Sequence, residues 1–371
     1  MKKGLVMIIE KEKISTRQLT LIMIGYILGD AMIFGPAIAY AGHHAWLSNI
    51  ISIFFGLLYF FLLSKFVKLM KGQSLVKYCL SLFGAFWGRI IILPLILYLF
   101  LDAGLVIKEM GLMITTYIYE ETPLIFFSVT LVLTTAYGVK KGVEVIARNC
   151  EIIVPYLIFI LLTLLVPIMI TVINYDNLKP FFPPSILPAV KGAIPLIGFP
   201  VLDSVFLLFL LPLINQSRSD RLFKGLSTAL FIGGGLLFFR PLVAVGAFGA
   251  TEAANMPFPV FNAVRLIQFG DFVERLESVM LPIWLSSSYV KILILYYVTT
   301  VSFTEFFQLD NYQPFILPFG LILAAFSELV LSSIDQSVLI ANIIWFPLSF
   351  IPSIIIPLLI LISGKIKAAI K

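Results

Sequence analysis

Long apolar runs alternate with short polar stretches from one end of the chain to the other, and the runs have the length a helix needs to cross a bilayer, about 20 residues. Spans are expected near 18–41, 46–69, 89–118, 122–138, 149–173, 192–214, 222–249, 276–304, 312–332 and 336–363. Ten helices make this an all-α polytopic membrane protein, a single domain over residues 1–371. Two runs are interrupted. Leu28-Gly29-Asp30-Ala31-Met32, with Pro36 after it, breaks the first, and Gly198-Phe199-Pro200-Val201-Leu202-Asp203 breaks the sixth, each break carrying one carboxylate. An unpaired backbone group in hydrocarbon costs several kcal/mol, so such breaks persist only where protein or a cavity satisfies them. With five spans per half, the second half runs in the opposite sense, an inverted repeat over roughly 18–173 and 192–363. The breaks then face each other at mid-membrane.

Composition sharpens the class. Hydrophobic residues make up 60% of the 371, with 34 Phe and only 12% charged, beyond what a soluble domain carries. The net charge of +6 follows from loop asymmetry. Nineteen Lys and Arg fall in the segments that an inside amino terminus places in the cytoplasm, from Lys2, Lys3, Lys11, Lys13 and Arg17 through Lys365, Lys367 and Lys371. Four fall outside (Lys179, Lys191, Arg265, Arg275), and Lys108, Arg240 and Lys291 lie within spans. Both termini are therefore expected in the cytoplasm. With the basic residues so placed, no face is left for nucleic acid. The amino-terminal tail lacks the apolar core and small-residue site of a cleaved signal, so the first span is expected to stay as an anchor.

The remaining chemistry is sparse. Cys79 and Cys150 fall on the cytoplasmic side and are expected to be reduced packing residues. His43 and His44 have no metal-ligand neighbours at suitable spacing, and Walker, Gly-x-Ser-x-Gly and dinucleotide patterns are absent from the sequence, so neither catalysis, metal nor cofactor is expected. Residues 174–191, with four prolines, predict a rigid outer connection, and 250–275 a short helix over the outer mouth. Asp102 and Glu109 stand seven apart on one face of the third helix, so one of them is expected to pair with Arg240. A zwitterionic amino acid needs donors for its carboxylate and acceptors for its ammonium, and broken helices supply both.

Several stretches together resemble the endospore germination permease family, the B subunits of nutrient germinant receptors, within the amino acid/polyamine/organocation transporter superfamily. They are Ile14-Ser15-Thr16-Arg17-Gln18-Leu19; Lys141 to Arg148 with Glu151 and Pro155; Asn311-Tyr312-Gln313-Pro314 with Leu317-Pro318-Phe319-Gly320; and Phe258-Pro259, Val264 to Ile267 and Gly270 to Glu277. Leu28 to Pro36 is similar to a loosened form of the superfamily's first-helix signature, Ile-Gly-x-Gly-Ile-Phe-x-x-Pro, with Ala31 for the second Gly. The chain departs at Asp30, where the family usually has a small polar residue, and at Leu202-Asp203, where it usually has Gly-Glu.

The resemblance implies a LeuT-like fold, the inner membrane of the spore, and a complex with an A-type membrane subunit and a C-type lipoprotein subunit. It places a small nutrient, an amino acid, between the first break (Gly29, Asp30, Ala31, Met32) and the sixth (Phe199, Pro200, Val201, Leu202, Asp203). Lys291 would stand where some relatives bind sodium, bonding to Asp30 and first-helix carbonyls with Ser287 one turn away. Lys108 beside Glu109 is similar to a family pair that ties the third helix to a neighbour. Arg265, Asp271, Glu274 and Arg275 would form an outer gate or a partner surface. The alternatives are a secondary amino acid transporter and a ligand-gated ion or water conduit. Asp203→Asn and Gly29→Leu are each expected to weaken the nutrient response and leave the protein in the membrane.

Overall fold

The computed structural model of the chain describes residues 13–30, 35–214, 221–267 and 277–370. The first helix, α1 (Thr16–Gly29), opens on a reciprocal cap. The Ser15 hydroxyl accepts from the Gln18 amide at 3.2 Å and the Gln18 side chain accepts from the Ser15 amide at 2.8 Å, so two otherwise orphaned N–H groups are satisfied. α1 ends at Gly29 with Asp30 as its cap, and the next described helix is α2 (Gly35–Ala41).

There follow α3 (Ala45–Ser64), α4 (Phe66–Met70), α5 (Leu75–Tyr117), α6 (Leu124–Lys140), α7 (Val143–Pro167), α8 (Leu187–Leu196), α9 (Leu207–Leu210) and α10 (Leu222–Phe248). The chain continues as α11 (Ala250–Asn255), α12 (Pro259–Arg265), α13 (Glu277–Phe306), α14 (Ile316–Val330), α15 (Ile334–Leu339), α16 (Trp345–Phe350) and α17 (Ile356–Ile370). Among the described residues eight helical stretches are long and apolar enough to cross a membrane. The expected ten is reached only if the interrupted first segment and the shorter Leu124–Lys140 helix are also counted.

Two boundaries differ from expectation for local reasons. α5 starts at Leu75 rather than near 89, but Gly84 has φ 82° and ψ 170°, so two helices meet there in a corner that a side chain would strain. α8 starts at Leu187 rather than near 192, because Pro188 sits in the first turn, where a missing N–H costs nothing. The linker before it holds one tight turn, Tyr175–Leu178, and is fastened by the two histidines: His43 Nδ1 lies 2.7 Å from the Asn177 carbonyl and His44 Nε2 2.8 Å from that of Pro180. The short helix expected within 250–275 is α12, with α11 before it. Cys79 and Cys150 are buried free thiols.

The two interrupted segments form the centre. α1 is buried continuously from Ile22 to Gly29, as a helix apolar on all sides must be. Its Gly25 and Gly29, four apart, lie against α13: a Cβ on Gly25 would stand 2.7 Å from Val290 Cγ1, and one on Gly29 2.6 Å from Lys291 Cβ. Small residues at this spacing let two membrane helices approach closely. The sixth segment crosses the first in the opposite sense. α8 packs on α2, with Gly192 close to the Ala37 carbonyl, while at the far end the Ile14 amide donates to the Leu213 carbonyl at 2.8 Å. Between α8 and α9 helical geometry fails at Phe199 (φ −108°, ψ 129°), level with the break after α1.

Candidate functional site

The breaks bring carboxylates together around a single ammonium. Lys291, fully buried on α13, donates to Asp30 at the end of α1 and lies 3.2 Å from Asp102 Oδ1 on α5 and 3.4 Å from Asp203 Oδ2 in the sixth segment. An ammonium has three protons to offer, and here three carboxylates converge on it. Aromatic donors complete the shell. The Tyr26 hydroxyl donates to Asp102 Oδ2 at 2.7 Å, the Tyr98 hydroxyl to Asp203 Oδ1, and the Trp345 indole N–H to the same oxygen at 2.9 Å. The Lys291 ammonium lies 4.8 Å from the centre of the Tyr26 ring, close enough for a cation–π contribution.

Beside this cluster lies a cavity of about 40 Å³ at the meeting of the two breaks. Gly29 and Asp30 form one wall and Phe199, Pro200 and Val201 another; Asn49 and Ser52 of α3, Glu109 of α5 and Ala341 also line it. Phe199 stacks on Trp345 with ring centres 5.0 Å apart and planes nearly parallel, so the indole that holds Asp203 also braces the cavity wall. Since one water needs roughly 10–15 Å³ of such space, the cavity holds on the order of three waters and is smaller than an amino acid.

Of the nine residues expected around the ligand, Gly29, Asp30, Phe199, Pro200 and Val201 line the cavity. Leu202 and Asp203 are buried outside its lining, and Asp203 is linked to it through Lys291 to Asp30 and through Trp345 to Phe199. Ala31 and Met32 lie outside the described residues. Ser287 touches the first helix through its backbone, its carbonyl oxygen 3.0 Å from where a Gly29 Cβ would stand, while its hydroxyl donates to the Trp284 carbonyl.

The pairing expected of the third helix needs correction. Asp102 is taken by Lys291 and Tyr26, and Glu109 accepts from Ser337 of α15 at 2.6 Å, because the face they share turns toward the breaks and the last segment. Arg240 on α10 borders a separate cavity of about 70 Å³ with Leu28, Trp284 and Ser287. Lys108 ties α5 to α14, 3.2 Å from the Glu328 carbonyl and 4.0 Å from its carboxylate, which also accepts from Ser128 of α6. Arg265 is exposed at the end of α12, its guanidinium 5.9 Å from the Phe261 ring centre, whereas Asp271, Glu274 and Arg275 lie outside the described residues.

Sequence reasoning missed Tyr26, Tyr98 and Trp345. A tyrosine hydroxyl or indole N–H in an apolar span must find an acceptor, and that requirement was the available signal. We expect Trp345→Phe, which removes a donor from a fully buried carboxylate and keeps most of the ring, to cost about 1–3 kcal/mol in thermal unfolding of the detergent-solubilised protein.

The model of the family described as spore germination protein matches residues 13–336. This chain belongs to that family. It is 25% identical over 314 residues to spore germination protein KB of Bacillus subtilis (strain 168), covering 84% of this chain and 83% of that protein. To spore germination protein XB of Bacillus anthracis it is 26% identical over 281 residues, covering 74% and 76%. Among solved structures, MhsT in complex with L-phenylalanine superposes with a TM-score of 0.66 at 17% identity, covering 96% of this chain and 89% of the other. A substrate-bound, outward-open Na+-coupled sialic acid symporter gives 0.63 at 10% identity, covering 95% and 90%. The chain therefore has the LeuT-like transporter fold, with its two interrupted helices at the centre.

Proposed function

We propose that this chain is the B-type subunit of a nutrient germinant receptor, which binds a small nutrient, an amino acid, between the two breaks and passes the event to partner subunits. One observation carries the reading: residues of both breaks, Gly29 and Asp30 with Phe199 to Val201, wall a single cavity. Because that cavity is too small for an amino acid, the ligand must part the breaks to enter. The protein then has unequal affinity for closed and parted forms, which is all a receptor needs.

The ligand carboxylate would meet amides at the first break, and Lys291 would serve as a built-in cation in place of sodium. The partners are an A-type membrane subunit and a C-type lipoprotein subunit, the residues around Arg265, Asp271, Glu274 and Arg275 facing one of them, and the setting is the spore inner membrane with both termini cytoplasmic. The fold shared with symporters supports a second reading, a secondary amino acid transporter. Proteoliposomes containing this chain alone separate the two: saturable binding of labelled amino acid without accumulation is expected, whereas robust, saturable accumulation would make it a transporter.

A further inference from the structure

The cavity between the breaks has a one-signed polar wall. Its ionisable lining groups are Asp30 and Glu109, and among the described residues that line it none is Lys, Arg or His. Behind the wall Lys291 is shared by Asp30, Asp102 and Asp203, and the buried Arg240 guanidinium also acts electrostatically on Asp30; with Glu109 the four carboxylates still outnumber the two cations. Lys291 occupies Asp30 Oδ1 only. Oδ2 is buried and has no hydrogen-bond partner among the described residues, although the Asp30 side chain is only 6% exposed. A buried carboxylate oxygen with no donor is costly, and a donor that arrives there relieves the cost.

Glu109 lines the same cavity. One of its oxygens accepts from Ser337, and its side chain borders both the central cavity and a narrow crevice lined by Pro257, Phe258 and Val338, ahead of α12. The rest of the central lining is largely apolar, with Ile53, Leu196, Leu230 and Leu237, which suits an organic body better than a bare ion. Among the described residues no group of three or more His, Cys, Asp or Glu is placed to hold a metal.

Building on the nutrient-site reading, we propose that the ligand's free ammonium is its obligatory feature, received between Asp30 Oδ2 and Glu109, and that its carboxylate is dispensable. The site selects small primary amines with a compact apolar body, and Glu109 is its specificity-determining residue.

The test is binding to the purified full-length chain in detergent, by calorimetry and thermal shift. The panel comprises the L-amino acids, their carboxamides, their N-acetyl derivatives and neutral sugars and nucleosides. The carboxamide of any amino acid that binds should match or exceed its parent, and the N-acetyl derivative should bind at least roughly tenfold more weakly, as loss of a charge-assisted hydrogen bond predicts. Glu109→Gln, which keeps an acceptor for Ser337, should weaken the amine at least roughly tenfold with an unchanged melting temperature, and Glu109→Asp should restore part of the affinity. An N-acetyl derivative as tight as its parent, or Glu109→Gln with full affinity, overturns the proposal. Binding of only a neutral compound overturns it and leaves the nutrient site standing. No binding by any of the panel overturns both.

Discussion

Replacing Lys291 by Met is expected to be the most damaging single change in the membrane core, costing about 3–5 kcal/mol of stability, because it strips the shared ammonium from three carboxylates and leaves their charge buried. Met fills nearly the same volume, so packing loss contributes little. The measurement is thermal unfolding of the detergent-solubilised protein, together with its yield in the membrane fraction. Adding Asp102→Asn to Lys291→Met should recover part of the loss, since one of the stranded charges is then gone. A Lys291→Met protein that melts at the wild-type temperature would show that the carboxylates do not depend on the ammonium. The same charge count explains why Asp203 sits so deep: with Tyr98, Trp345 and Lys291 all donating to it, the carboxylate is satisfied without water.

Gly29→Ala is expected to lose about 1–3 kcal/mol, and Gly29→Leu more. The added Cβ would stand 2.6 Å from Lys291 Cβ and 3.0 Å from the Ser287 carbonyl oxygen, and backbone cannot step aside as a flexible side chain can. This corrects the expectation that Gly29→Leu weakens only the nutrient response, since the substitution pushes α1 off α13 and disturbs the ammonium cluster at once. Gly235→Ala supplies the control. That glycine is on α10 with nothing within 4 Å of its Cβ position, so alanine there should be neutral or slightly stabilising. Equal melting temperatures for Gly29→Ala and Gly235→Ala would mean that the approach of α1 to α13 is not needed.

Much of the architecture was legible in the chain because bilayer physics leaves few choices. Apolar length located the helices, and the Gly and Pro interruptions located the breaks, since irregular backbone in hydrocarbon needs a reason. The encounter of Lys291 with Asp30 followed from the resemblance, which puts the eighth helix against the first break, together with the need of a buried carboxylate for a cation. What stayed hidden depends on helix rotation and on groups that pair in more than one way. Asp102 could have gone to Arg240 or to Lys291, and spacing alone does not say which neighbour its face meets. Asn49 and Ser52 gave no signal, being ordinary residues in a span, yet they line the cavity. Asp203 marked the right break without lining the space it frames, because its carboxylate is taken up by Lys291, Tyr98 and the indole of Trp345, 142 residues later in the chain.

The two interrupted segments are joined at both extremities: the Ile14 amide is bound to Leu213, and α2 lies along α8. A guest that wedges them apart at mid-height therefore stretches a closed hoop and does not swing a door. Tension in a hoop is shared around its whole circumference, so even a very small molecule can be felt at both faces of the membrane simultaneously.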